Sequence, residues 1–237
     1  MSLIIRNLSI NDYDQLKDTM VESYSAIGGQ YWRKERIQKL LHLFPEGQFC
    51  IEVDGRVVAA ALAIIVNRVD CGEQHTYEQV TGHYSFDTHD PAGSILYGID
   101  VFVHPNFRGL RLGRRLYDAR KNCCRRLNLR AIVAGGRIPA YCRYAEQLSP
   151  QHYIDKVIQK EIYDPTLSFQ LANGFRVTCI LTNYLKGDTE SKEYATLLEW
   201  KNVGYKPTRA ELKHKETGVK TDRLYGPLTI SPSFAAA

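Results

Sequence analysis

The residues best suited to chemistry lie in one run, Val101-Phe102-Val103-His104-Pro105-Asn106-Phe107-Arg108-Gly109-Leu110-Arg111-Leu112-Gly113-Arg114-Arg115-Leu116. An apolar strand delivers the chain to a short turn at His104-Pro105. The turn opens a helix, expected from about Gly109 to Leu127, with an apolar stripe at Leu112, Leu116, Ala119, Cys123 and Leu127. The first amides of such a helix have no intrahelical acceptor, and the dipole there favours negative charge. Gly109 and Gly113 leave the backbone open to close approach, and Arg108, Arg111, Arg114 and Arg115 add positive charge. That is the chemistry of a phosphate or pyrophosphate cradle. A tight turn followed by a solvated basic face has the same composition, and the residues alone leave both readings open.

Other reactive side chains form no comparable pattern. His75, His83 and His89 lie with Asp87 and Asp90 in the polar stretch from Asn67 to Gly93. Their spacings match no common ligand set, so no metal site is expected. A loop closing over a substrate fits them better, and ordinary surface histidines better still. None of the six cysteines forms a Cys-x-x-Cys pair, and Cys123 adjoins Cys124. Reduced thiols in a cytoplasmic protein are the expectation. Cys142 has no identifiable base partner.

The positioning elements follow from periodicity and turn chemistry. Leu3 to Arg6 reads as a strand, followed by a helix capped at Asn11 or Asp12 and a second from Tyr31 to Phe44. Asp54-Gly55 predicts a hairpin between Phe49–Val53 and the apolar run Val57–Val66. After the polar stretch come a strand at Ile95–Val103, the basic helix, and a short strand from Leu129 to Ala134 closed by Gly135-Gly136. A helix is expected over Pro150–Glu161. Another starts at Asp164-Pro165 and stops at Asn173-Gly174. Phe175–Leu181 and Ala195–Trp200 complete the strands. The pattern is mixed α and β, with hairpins at both ends and one strand-helix-strand unit between them. One domain over residues 1–203 and a C-terminal extension over 204–237 are expected.

Composition narrows the class of function. With 44% hydrophobic and 24% charged residues the chain can bury an ordinary core. Its formal charge of +5 suits an anionic ligand without indicating nucleic acid. No aromatic stacking pattern interleaves the basic residues of Arg108–Arg126, which argues against nucleic-acid binding there. The longest apolar run, Val57–Val66, is about half of what a membrane-spanning helix needs, so a soluble protein is expected.

His104-Pro105 followed by Arg108-Gly109-x-x-Leu112-Gly113-x-x-Leu116 resembles the acetyl-CoA signature of the GNAT acetyltransferases. Gln170-Leu171-Ala172-Asn173-Gly174-Phe175 resembles the family's later Tyr-x-x-x-Gly-Phe, and the element order agrees from Leu3 to Trp200. The resemblance implies a mostly antiparallel sheet with helices on both faces, splayed at a cofactor cleft between the fourth and fifth strands. It implies acetyl-CoA as co-substrate, with pyrophosphate on the amides of Arg108, Gly109, Leu110, Arg111, Leu112, Gly113 and Arg114, and pantetheine along Phe102 and Val103. Arg111 stands where the family usually has its first signature glycine.

Acetyl transfer to an amine needs a proton acceptor and a proton donor for the leaving thiolate. The family often takes its base from the strand before the cradle, where Asp100 is the single carboxylate here. A strand-edge aspartate paired with an arginine is the other reading of that residue. Gln170 occupies the place of the family's tyrosine and cannot act as an acid, which leaves Tyr141 and Tyr144 as substitutes. The implied function is N-acetyltransfer to a small-molecule or peptide amine; the alternative is a sensor or partner subunit that binds acyl-CoA without turnover. Gly135-Gly136-Arg137-Ile138-Pro139, Asp164-Pro165-x-Leu167-Ser168-Phe169-Gln170-Leu171 and Asn183-Tyr184-Leu185 resemble a subgroup often fused to carbon–nitrogen hydrolases. The chain is too short to include such a domain, which implies that it acts alone or with a separate hydrolase partner.

Overall fold

Asp54 and Gly55 take positive φ angles, 47° and 82°, and close the hairpin that an Asp-Gly pair predicts. It joins β2 (Phe49–Val53) to β3 (Arg56–Val66), and every residue of β3 after Arg56 is buried, as in a strand covered on both faces. A computed structural model describes residues 2–25, 31–67 and 74–207. Those up to Gly204 belong to one compact unit, and the extension expected beyond it lies, from 208 on, outside the described residues.

Among the described residues seven strands form one sheet in the order β1-β2-β3-β4-β5-β7-β6. β1 is Leu3–Asn7, β4 Ile95–Val103, β5 Ala131–Arg137, β6 Arg176–Leu181 and β7 Ala195–Lys201. All neighbours are antiparallel except β4 and β5, which the basic helix connects. The sheet is therefore mixed and mostly antiparallel, as expected.

Helices cover both faces. On one side α1 (Tyr13–Ser23), α2 (Lys34–Leu43) and the short α3 (Tyr77–Val80) bury Leu16, Met20, Ile37, Leu40 and Val80 against Leu62, Ile64 and Tyr97. On the other, α4 (Leu112–Arg126), α5 (Pro150–Ile158) and α6 (Pro165–Ala172) bury Leu116, Cys123, Ile154 and Leu167 against Ile51, Leu96 and Leu198. Asp164 caps α6 by accepting the amides of Thr166 and Leu167 at 2.9 and 2.8 Å. Gly174, at φ 78°, takes the left-handed turn after the helix.

Two expectations need correcting. Gly135-Gly136 does not close the fifth strand but lies inside it, because the missing side chains make room for neighbours across the sheet. The stretch from Asn67 to Gly93, where described, carries α3 and the fully buried Phe86. No helix among the described residues is long and apolar enough to cross a membrane.

Candidate active site

β4 and β5 pair in parallel only from Ile95–Ala131 to Tyr97–Val133. Beyond that fork β4 stays with β3 as far as Val103, and β5 stays with β7 as far as Arg137. The two strands part, and among the described residues each leaves an edge unpaired.

A bulge decides which way the carboxylate of Asp100 faces. Leu62 and Ala63 of β3 pair with Asp100 and Gly98, so Ile99 is one residue too many on β4. Ile99 and Asp100 consequently both turn to the α1–α2 face, and alternation resumes with Val101 on the α4 face and Phe102 on the α1 face. There the Tyr24 hydroxyl donates to Asp100 Oδ1 and the Trp32 indole Nε1 donates to Oδ2 at 3.3 Å. Burial pushes the Asp100 carboxyl up from the usual carboxylate range, against the opposing pull of these two donors and of Arg120.

Arg120 enters from the opposite face. It is 4% exposed on α4, and its guanidinium donates to the carbonyls of Leu62 and Asp100 at the bulge. A Cβ on Gly98 would lie 2.9 Å from its Nη1, so the glycine admits the arginine. On the facing strand a Cβ on Gly136 would lie 2.5 Å from Gln170 Oε1. Arg120 Nε and Gln170 Oε1 are both buried without a hydrogen-bond partner among the described residues. One stands beside β4 and the other beside β5, so the splay holds an unused donor and an unused acceptor.

The turn before α4 has the character of a cradle. Arg111 takes φ 57° and ψ 25°, the left-handed conformation of a glycine, at the position where the family signature has one. Gly109 also turns left-handed, at φ 83°, with nothing within 4 Å of a Cβ. None of the amides from Gly109 to Arg114 has an acceptor among the described residues. The Arg108 amide differs from that expectation: it donates to Pro105 O at 3.2 Å. Leu112 and Gly113 have packing roles as well. The Leu112 side chain enters the α4 core, and a Cβ on Gly113 would lie 3.0 Å from the Phe169 ring. Leu110 is 40% exposed at the rim.

Val103 and Phe102 are not equivalent. His104 donates its amide to Val58 O on β3 at 2.8 Å. Alternation then turns the backbone groups of Phe102 toward β3 and those of Val101 and Val103 toward the open edge.

Tyr141 and Tyr144 are not brought to Asp100. The Tyr141 hydroxyl donates to Leu148 O at 3.0 Å, and its ring packs against Tyr153 and Tyr194. Tyr144 packs against Tyr153. Both belong to the core under α4–α6, on the face opposite Tyr24 and Trp32. The hydroxyls that do reach the fork are those of Tyr97 and Tyr184, 3.0 Å apart, with His75 Nε2 2.9 Å from Tyr97 Oη. A Cβ on Gly135 would overlap the Tyr184 ring. Sequence reasoning missed Tyr24, Trp32, Arg120 and Tyr184. For Tyr184 a signal existed in the paired glycines, whose strand position implies a bulky side chain lying against them.

The other two histidines of the Asn67–Gly93 stretch have local partners. His83 pairs with Glu78 at 2.9 Å, and His89 Nδ1 accepts the Ile65 amide at 3.0 Å. No group of three or more potential metal ligands occurs among the described residues. Around Trp32, the rings of Tyr77, Tyr84 and Phe86 form an aromatic wall at centroid distances of 6.3, 5.9 and 5.0 Å.

Residues 13–141 match the model of the Acetyltransferase (GNAT) family. The chain is 41% identical over 213 residues to the probable hydrolase YhcX of Bacillus subtilis (strain 168), covering 90% of this chain but 41% of that protein. It is 34% identical over 207 residues to the uncharacterized N-acetyltransferase YkwB of the same organism, covering 86% of this chain and 91% of that one. Among solved structures, the loading GNATL domain of CurA from Lyngbya majuscula superposes with a TM-score of 0.71 at 21% identity, covering 85% of this chain and 98% of that one. The GphF GNAT-like decarboxylase in complex with isobutyryl-CoA gives 0.71 at 20% identity, covering 84% and 98%. At these identities the likeness to the two structures is one of fold.

Proposed function

The chain belongs to the acetyltransferase (GNAT) family, and from that membership we propose that it transfers the acetyl group of acetyl-CoA to a primary amine on a small molecule or a peptide. One observation carries the site: the amides from Gly109 to Arg114, unpaired among the described residues, lead into the open edge of β4, and the bulge turns Asp100 out on the other face. The residues fit the co-substrate. The cradle offers amides and arginines to a pyrophosphate, Val101 and Val103 offer backbone groups to an amide-bearing arm, and Arg120 Nε and Gln170 Oε1 are a donor and an acceptor awaiting partners.

Acetyl-CoA supplies an activated acyl carbon. Asp100 takes the proton that the amine loses on attack. Each of its oxygens keeps a lone pair beyond those used by Tyr24 and Trp32. Its raised proton affinity brings it nearer the working range of a base at neutral pH. Trp32, which donates to that carboxylate, is backed by the rings of Tyr77 and Tyr84. Titration with acetyl-CoA, with adenosine diphosphate as control, followed by an amine screen tests this directly. Binding that needs the pantetheine arm, together with turnover, supports the reading, and absence of binding overturns it.

Gln170 favours a second reading, a subunit that binds acyl-CoA without turnover, because it stands where the family has a tyrosine. Acetylation of any amine by the purified protein removes that alternative. A carbon–nitrogen hydrolase as working partner is a further proposal, resting on the resemblance of Gly135–Pro139, Asp164–Leu171 and Asn183–Leu185; the chain spans 41% of the probable hydrolase it matches. Co-purification of such an enzyme with the tagged chain tests it.

A further inference from the structure

We propose that the Tyr184 hydroxyl donates the proton required by the leaving coenzyme A sulfur, and that Tyr97 and His75 form the relay that restores it. The proposal rests on the acetyl transfer proposed above.

The position of Tyr184 is fixed from both ends. Its amide donates to Glu193 O at 2.8 Å and its carbonyl accepts the Tyr77 amide at 2.7 Å. The ring is 3% exposed and lies on Gly135, two residues past the last β4–β5 pair. Its hydroxyl meets that of Tyr97, the last β4 residue in that pairing, at 3.0 Å. The two hydroxyls thus stand at the fork of the splay. An acyl-bearing arm that starts at the cradle and runs past Val103 and Val101 has the fork as its terminus. Of the other candidates, Tyr141 has spent its proton on Leu148, and Gln170 has no acidic proton to give.

The chemistry balances. The amine nitrogen forms its bond to the acyl carbon while the carbon–sulfur bond breaks. The amine proton passes to Asp100, and the Tyr184 proton passes to the sulfur. The Tyr184 phenolate recovers a proton from Tyr97, which draws on His75 and through it on solvent; Asp100 returns its proton to solvent. Burial keeps both phenols protonated well above their ordinary range, so the donor is charged with its proton at any physiological pH. The Gly135 backbone lies close enough to both hydroxyls to favour the phenolate for the moment it exists. The route outward is short: His75 Nε2 lies 2.9 Å from Tyr97 Oη, and the neighbouring Thr76, Tyr77 and Asn183 line a surface depression.

The test compares calorimetric binding of coenzyme A and desulfo-coenzyme A, so it does not depend on knowing the amine. The wild type should prefer coenzyme A by about tenfold, the value of one hydrogen bond to sulfur. Tyr184→Phe should abolish that preference while leaving desulfo-coenzyme A affinity unchanged, since the ring still fills the Gly135 niche. Tyr97→Phe should reduce the preference only in part. A preference that survives Tyr184→Phe, or equal losses for both ligands, would overturn the assignment while the acetyl-CoA site stands. Failure of the wild type to bind either ligand would overturn the acetyl-transfer reading, and the relay with it.

Discussion

The Trp32 indole and the Asp100 carboxylate meet at 3.3 Å across 68 residues of sequence. That bond ties the lead-in to α2 to the bulged strand. Trp32 also touches Tyr77, Tyr84 and Phe86, so the wall flanking the site and the candidate base are held by one side chain. Partial burial disfavours the Asp100 anion, and its donors are what keep it serviceable.

Asp100→Asn should lower kcat by about 10²–10⁴, the usual contribution of a positioned base, with acetyl-CoA affinity unchanged by calorimetry. Stability should move the other way. The folded state raises the proton affinity of Asp100, so its charged form costs stability at neutral pH and its protonated form does not. Thermal melts should show the variant gaining on the wild type at pH 7, with the difference fading as pH falls through the raised folded-state value and gone once pH is below the ordinary carboxylate range.

Tyr24→Phe and Trp32→Phe each remove a donor that holds the Asp100 carboxyl down. The acid limb of kcat/KM, where activity is lost as Asp100 protonates, should shift to higher pH in both variants. Unmoved limbs in both would show that another group governs the profile.

Arg111→Gly and Arg111→Ala both remove the guanidinium, but only glycine adopts φ 57° without steric cost. Urea denaturation should find the glycine variant more stable by about 1 kcal/mol. Both should bind acetyl-CoA more weakly than the wild type, by similar factors, if the lost charge is what matters at the cradle.

Gln170→Met removes the buried acceptor that has no partner among the described residues. The free protein should gain about 1 kcal/mol in chemical denaturation, and acetyl-CoA affinity should fall, because the acceptor would no longer meet a donor on the bound arm. A rise in stability with unchanged affinity would assign Oε1 no part in binding.

Local signals carried much of the fold. Asp54-Gly55, Asp164-Pro165 and Gly174 act through their own φ angles and caps, and each sits where its chemistry demands. The cradle was legible for the same reason: glycines, arginines and a helix start lie within a few residues. What surrounds Asp100 was not legible. Tyr24 and Trp32 reach it from 76 and 68 residues away, and Arg120 arrives through a helix whose other basic residues look alike in sequence. Tyr141 drew attention by its nearness to Gly135-Gly136 along the chain. The glycines instead admit Tyr184 and Gln170, which lie much further on.

Parity along β4 has a consequence for variation in this chain. Because strand residues alternate between faces, it is the one extra residue at Ile99 that lets Tyr97 and Asp100, three positions apart, face the same helices. Deleting Ile99 would change composition by one methyl-rich residue and leave the carboxylate in the sequence. Gly98 and Asp100 would then pair consecutively with Ala63 and Leu62, and the carboxylate would still face α1 and α2, but the bulge whose carbonyls receive Arg120 would be gone. What Ile99 contributes is thus a break in the pairing rather than a side chain, and a deletion there would do what no substitution can.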